Sequence, residues 1–383
     1  MKIEPFEMER WQSLHENEVE LNLSDSGVHP VTLDELVALA PGELADLQSR
    51  IGGMRLVYTQ TNGTPGLREL IAGLYPGATP DNVEVTTGGV EANCVAAWTL
   101  VEPGDEVVTL SPNYGQLPGL VRGLGATVKP WSLRADWERG TYVADLDELG
   151  SLVGPKTRMI LLCSPNNPTG AVLDSETLDG VAEIAARHGT WVLSDEIYQG
   201  SELDGEPAPS MWGRGERVVV TNSLSKSYGL PGLRLGWLVA DADAVERFWE
   251  RHDYTTIGPS AVSDLVATHV LVPEVRGAIL ERTRRTLRES YELVVGMVED
   301  LGENVRHLPP RAGAMAWLSY AHDIPSRDLA ERLRVEKSVL VVPGSQFGED
   351  GWIRIGFGAE PEAVREGLGR IRSVLDGIPL RRA

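Results

Sequence analysis

Residues 157–165 read TRMILLCSP, with five apolar residues in succession from Met159 to Cys163. A run so short and so uniformly apolar lacks the periodicity of a surface helix. It predicts a strand covered on both faces, as in a parallel sheet held between helices. The flanking sequence repeats the alternation. SETLDGVAEIAARHG (175–189) has apolar residues at helical spacing, a start signal at Ser175 and a stop at Gly189. TWVLSDE, RVVVT and LRLGWLVA then read as further buried strands. Upstream, NVEVTTGG, DEVVTLSP and ATVKPW read as strands, separated by helical stretches over 90–102 and around 117–124. Strands alternating with helices predict an α/β fold, a mostly parallel central sheet flanked by helices.

A chain of 383 residues exceeds the roughly 250–300 at which a single core stops growing, so a second domain is expected. After about residue 260 the texture changes. A long helical pattern over 273–302 precedes short strands in AMAWLSY, SVLVVPG and GWIRIGFG and a last helix over 361–377, which reads as a smaller α+β domain. Residues 1–30 are polar and without a periodic face, and read as an arm. The net charge of −21 argues against sequence-independent nucleic-acid binding and against an anionic membrane surface. No segment approaches a membrane span, and MKIEPFEMERWQ has no apolar leader core, so a cytoplasmic protein is expected. Cys94 and Cys163 sit in apolar contexts and read as buried free thiols. The histidines and cysteines form no metal-binding pattern.

Sheets of this kind bind ligands at the carboxyl ends of their strands. That rule selects five loops, expected to open toward one cleft: Thr87-Gly88-Gly89, Ser111 to Tyr114, Ser164 to Asn167, Asp195-Glu196, and Ser223 to Lys226. Only five of the 35 basic residues are lysine: Lys2, Lys129, Lys156, Lys226 and Lys337. Arginine stays protonated and cannot act as an amine nucleophile, so a lysine in a strand-end loop hints at amine chemistry. Lys2, Lys156 and Lys337 read as surface residues. Glycines before a helix start favour an anion, and Ser223, Ser225 and Arg234 beside Lys226 suit a phosphate. A phosphate site next to such a lysine suggests pyridoxal 5'-phosphate, and the cofactor's other needs have candidates. Asp195 could pair with the ring nitrogen, Tyr198 and Asn167 could bond the phenolic oxygen, and Tyr114 could stack on the ring. Arg354, in WIRIGFG, could clamp a substrate carboxylate. Each residue alone has an ordinary structural reading. Together, at successive strand ends, they point to one site.

The motifs VYTQTNGTPGLRELIAGLY, TTGGVEAN, EPGDEVVTLSPNY, SPNNPTGAVL, SDEIY, SLSKSYGLPGLRLGW and WIRIGFG, in this order, span nearly the whole chain. The chain resembles the pyridoxal-phosphate-dependent aminotransferases of classes I and II, the aspartate aminotransferase fold type. The resemblance implies a fold of that type: an arm (1–40) packing with the small domain, a large cofactor-binding domain (41–262) and a small C-terminal domain (263–383). It implies Lys226 as Schiff-base lysine and proton shuttle, its pKa lowered by burial beside cationic groups. Gly89, Val90, Ser223, Ser225 and Arg234 would hold the phosphate. Val90 stands where relatives often carry serine or threonine, so that contact would come from the backbone alone. Tyr58 would reach the phosphate of the neighbouring subunit, implying a homodimer with shared sites. The expected reaction moves an amino group from an L-amino acid to a 2-oxo acid. Two stretches, NLSDSGVHP (22–30) and RHDYTTIGPS (251–260), are also similar to segments of capreomycidine synthase-like enzymes. That keeps a lyase or cyclase acting on an arginine-derived or other amino acid as the alternative, with Asp25 or Asp253, beside Arg354 and Asn167, as substrate-binding candidates. An aminotransferase-like binding module is the non-enzyme alternative.

Overall fold

The structure, a computed structural model, describes residues 3–381; Lys2, read as a surface residue, lies outside them. Among the described residues there are thirteen α-helices: α1 (Glu7–His15), α2 (Leu33–Leu39), α3 (Leu47–Gly53), α4 (Pro65–Ala72), α5 (Gly89–Leu100), α6 (Gln116–Leu124), α7 (Leu146–Leu152), α8 (Ser175–His188), α9 (Ala242–His252), α10 (Ala261–Val270), α11 (Pro273–Leu301), α12 (Ser326–Lys337) and α13 (Pro361–Leu375). The strands form three sheets. β1 (Leu21–Asn22) pairs in parallel with β12 (Val339–Leu340). The central sheet holds β2 (Val83–Thr86), β3 (Glu106–Ser111), β4 (Thr127–Asp136), β5 (Thr141–Ala144), β6 (Thr157–Cys163), β7 (Trp191–Asp195), β8 (Val218–Ser223) and β9 (Gly236–Val239). The third sheet is antiparallel, with β10 (Val305–His307), β11 (Met315–Tyr320), β14 (Trp352–Gly356) and β13 (Val342–Pro343) in that order.

The central sheet runs β2-β9-β8-β7-β6-β3-β4-β5. β8, β7, β6, β3 and β4 are parallel neighbours, while β9 and the edge strand β5 run against theirs. The apolar run in β6 has its predicted cause. Ile160 and Leu162 join one hydrophobic core together with Val108, Val192 and Val220. Met159 and Leu161 join the core on the opposite face with Val107, Leu193 and Val219. A side chain with period two therefore meets a helix layer whichever way it points. A further core gathers around the C-terminal sheet, and α11 spans two of them: Val275 and Ile279 pack into the first, Leu287 and Val294 into the last.

Three local readings change. The arm is not irregular, because it carries α1. Only Met8 is buried in that helix, which leaves no apolar stripe to read. The helix is fixed from outside itself, by the Trp11 indole donating to Val341 O at 2.9 Å and the Gln12 amide donating to Ser24 O at 2.8 Å. The cap of α8 is Asp174, whose carboxylate accepts from Thr177 N–H, and Ser175 is the first helical residue. Cys163 is buried, but Cys94 is only half-buried. No helix among the described residues is long and apolar enough to cross a membrane.

Candidate active site

Parallel pairing puts the carboxyl ends of β6, β7 and β8 side by side, with Cys163 opposite Asp195 and Asp195 opposite Thr221. A cavity of about 380 Å³ opens at that edge, and all five strand-end segments or their continuations reach it: Gly89, Tyr114, Asn167, Asp195 and Lys226 all line it. Arg354 enters from β14 and Asp25 from the loop after β1.

Asp195 ends β7 on the cavity floor. It accepts from the Asn93 amide at 2.8 Å and from Ile197 N–H at 3.2 Å. Asn93 is itself held, accepting from the Thr221 hydroxyl at 2.7 Å. Burial pushes the Asp195 carboxyl up to about 6 against the help of these two donors. Its surroundings supply hydrogen bonds but no cation, and a protonated ring nitrogen would supply one. Tyr198 receives the Asn167 amide at 3.1 Å and shares a 2.8 Å hydrogen bond with Ser26. Burial is the main reason its hydroxyl is pushed up to about 12. Asn167 in turn accepts from Arg354 Nη1 at 2.7 Å. Arg354 is 1% exposed, its Nη2 donates to Ser24 O, and its Nε has no partner. An arginine so deeply buried on a strand is not a surface residue. Its side chain lines the cavity, where a guanidinium can receive a carboxylate.

Lys226 Nζ lies 2.8 Å from Asp25 Oδ1. Burial works to lower its pKa, yet the Asp25 carboxylate and Tyr198 outweigh that and raise it; at Asp25 burial works upward, but Lys226, with the Gly27 and Ser26 N–H groups, pulls the carboxyl down to about 2. The expected lowering therefore does not hold with Asp25 in place, because one close opposite charge outweighs burial. Tyr114 donates to Glu9 at 2.7 Å and packs edge-on against Phe6, so α1 fixes its ring.

The phosphate candidates divide. Gly88 caps α5, and Gly89 and Val90 open the helix. Ser225 and Arg234 line the cavity, joined by Arg234 Nη1 donating to Ser225 Oγ at 3.3 Å. Ser223 is fully buried, and its hydroxyl accepts from Ser225 N–H at 3.1 Å, bracing the loop rather than facing the cavity. Gly236, on β9, explains how the loop sits so close to the sheet. A Cβ there would lie 2.5 Å from both Gly88 C and Gly89 N. Overpacking of this kind costs about 1–3 kcal/mol. Gly236→Ala should therefore lower the melting temperature and weaken pyridoxal phosphate binding about tenfold, read by equilibrium titration. Unchanged affinity would contradict the dependence of this loop on β9.

Tyr58 is 83% exposed and Asp253 is exposed; neither lines the cavity of its own chain. Sequence reasoning missed Asn93, although it lies one turn into α5 from Gly89, on the same face. It also missed α1, which brings Glu9 and Glu16 to the cavity and carried no readable signal.

Comparison with known proteins agrees with this geometry. The family model described as aminotransferase class I and II matches residues 30–371. Capreomycidine synthase of Streptomyces vinaceus is 34% identical over 96% of this chain and 93% of its own length. A PLP-dependent aminotransferase structure from Streptococcus suis superposes with a TM-score of 0.92 at 34% identity, covering 100% of both chains. The PLP-dependent cyclase OrfR superposes with a TM-score of 0.87 at 28% identity, covering 98% of each.

Proposed function

Since the chain belongs to the class I and II aminotransferases, enzymes that work with pyridoxal phosphate, we propose that it is a cytoplasmic homodimer that moves an amino group from an L-amino acid to a 2-oxo acid. The observation that carries this reading is the convergence of Lys226, Asp195, Tyr198, Asn167 and Arg354 on one cavity. Lys226 Nζ would hold the cofactor aldehyde, Asp195 the ring nitrogen, and Tyr198 and Asn167 the phenolic oxygen. Tyr114 would cover the ring. Gly89, Val90, Ser225 and Arg234, braced by Ser223, would hold the phosphate. When bound, the cofactor supplies an aldehyde for the amino group and a ring that takes up the electron pair left at the substrate α-carbon.

The chain's own residues do the rest. Arg354 orients the substrate carboxylate, and Asn167, accepting from Nη1, keeps the guanidinium plane from turning. Asp195 keeps a proton at the ring nitrogen. Lys226 is the amine among the residues lining the cavity, and Nζ carries the α-proton once it has left Asp25. A screen of amino acids for keto-acid release tests the reading. Stoichiometric keto acid without free ammonia in a single turnover supports it; amino-acid consumption with no keto acid, or with keto acid and ammonia together, contradicts it.

A second reading, elimination or cyclisation of an amino acid with a cationic side chain, is favoured by a specific observation. Glu9, Glu16 and Asp25 place three carboxylates along the cavity that Arg354 closes. Capreomycidine synthase and a PLP-dependent cyclase are also among the similar proteins. Asp253 would join this set only across a subunit boundary. The same screen, read for ammonia as well as keto acid, separates the two readings: elimination releases keto acid together with free ammonia, cyclisation consumes arginine-like substrates without keto acid, and in either case Asp25→Asn should impair cationic substrates more than neutral ones.

The homodimer is supported by an apolar strip. Leu56, Val57, Tyr58 and Tyr254 are exposed. Thr59 donates to Pro259 O at 3.2 Å, which holds the two segments together. Apolar patches this prominent mark interaction surfaces. Light scattering should give twice the 41.7 kDa chain mass. A monomer at working concentration would remove Tyr58 and Asp253 from the site.

A further inference from the structure

Behind the glycine loop, on the side away from the cavity, lies a cluster that the reaction does not use. His252, in the last turn of α9, is fully buried. Its Nδ1 lies 2.8 Å from Glu84 Oε1 on β2, and its Nε2 lies 3.1 Å from Glu91 Oε2 in the first turn of α5. Glu84 is completely buried. Neither of its carboxylate oxygens makes an aligned hydrogen bond, so the imidazole is its one close ionic partner. Glu91 reaches the loop itself by accepting from Thr87 N–H at 2.6 Å. Thr256 completes the link, donating to Glu91 Oε1 at 2.9 Å and meeting the Thr87 hydroxyl at 2.9 Å.

Burying two carboxylates and an imidazole is costly, and an apolar replacement of similar volume is often no less stable. Two features show what the arrangement accomplishes. A carboxylate in the first turn of α5 occupies the positive end of the helix that a phosphate would use, and an unneutralised Glu91 would repel that phosphate. The bond from Thr87 N–H to Glu91 also turns that donor away, leaving the N–H groups that follow it to face an anion. We propose that Glu84, His252 and Glu91 form a positioning relay for the cofactor phosphate: an imidazolium clamped between two carboxylates neutralises Glu91 and locks Thr87, so that the start of α5 is set for an anion. The relay rests on the phosphate cradle proposed above.

Burial opposes the charge on His252, but its partners Glu84 and Glu91 more than compensate and push it up to about 9. The groups facing it are Glu84 from β2, Glu91 from α5 and the Thr256 hydroxyl, 3.1 Å from Nε2, while Asp253 at its own helix end acts on Glu84. Cys94, one turn beyond Glu91, has its thiol raised by burial and by Glu91. The proton is therefore held through neutral pH and lost as pH rises through about 9, and the relay fails in that direction.

The test compares two probes, pyridoxal phosphate and pyridoxal, which lacks the phosphate. Both react with the same lysine, so misfolding or a disturbed lysine weakens both alike. His252→Gln should weaken pyridoxal phosphate about tenfold and leave pyridoxal unchanged. In the unaltered protein the advantage of the phosphate should shrink above about pH 9. Glu84→Gln, which keeps the side-chain size and removes one clamping carboxylate, should move that loss to lower pH. Arg234→Gln is the control for the cradle. If it separates the two probes and His252→Gln does not, or if His252→Gln weakens both probes equally, the relay is wrong and the cradle stands. If Arg234→Gln fails to separate them, the cradle is wrong and the relay falls with it.

Discussion

Replacing Lys226 with alanine should lower turnover by at least about 10⁴-fold, because one side chain supplies both the amine that holds the cofactor and the base that moves the α-proton. No other lysine among the described residues can substitute. Lys129 is tied to Glu106 at 2.6 Å on the central sheet, Lys156 is exposed before β6, and Lys337 ends α12. Phosphate-dependent binding of the cofactor should survive, since Ser225, Arg234 and the α5 start are untouched. Stopped-flow single turnovers measure the loss. A variant keeping more than about a hundredth of the turnover would show that Lys226 is not the proton carrier.

The second large effect is expected at Asp195. Asp195→Asn keeps the shape and, with one acceptor oxygen, only one of the Asn93 and Ile197 contacts, and it removes the charge that would hold a proton at the ring nitrogen. Loss of one preorganised electrostatic partner costs about 10²–10³ in turnover. The pH signature is more specific. Without a cation beside it, the buried carboxyl binds its proton more tightly in the folded chain, at about 6 against 3.8. That contribution to stability is present below about pH 4 and is lost as pH rises through about 6. A bound cofactor cation reverses the sign. The gain in melting temperature on adding pyridoxal phosphate should therefore grow from pH 4 to pH 6 in the native protein and stay flat in Asp195→Asn. Identical pH dependence in the two would contradict the pairing.

Much of the site could be read before the structure because strand ends are easy to find. TRMILLC is apolar on both faces, so its end, and the ends of its neighbours, follow from pattern alone. Asp195, Asn167, Tyr198, Lys226 and Arg354 do meet in one cavity. Residues whose position depends on tertiary packing could not be read. α1 buries only Met8, so nothing in EMERWQSLH announces a helix or its place over the cavity. Ser223 looks like a phosphate ligand in SLSKS, yet it is fully buried and lies off the cavity lining, where its hydroxyl accepts from Ser225 N–H. Glu84, Glu91 and His252 look like surface charges, and only the packing of α9 on β2 and α5 reveals them as a buried cluster. Tyr58 and Asp253 lie outside the cavity of their own chain, so no reading of one chain could place them.

Borohydride reduction of the protein mixed with pyridoxal phosphate, followed by peptide mapping, is the most direct test of the chemistry assigned to this cavity. The label should fall on the peptide bearing Lys226 and be lost in Lys226→Ala. A label on Lys2, Lys129, Lys156 or Lys337, or no stable label at saturating cofactor, would contradict it.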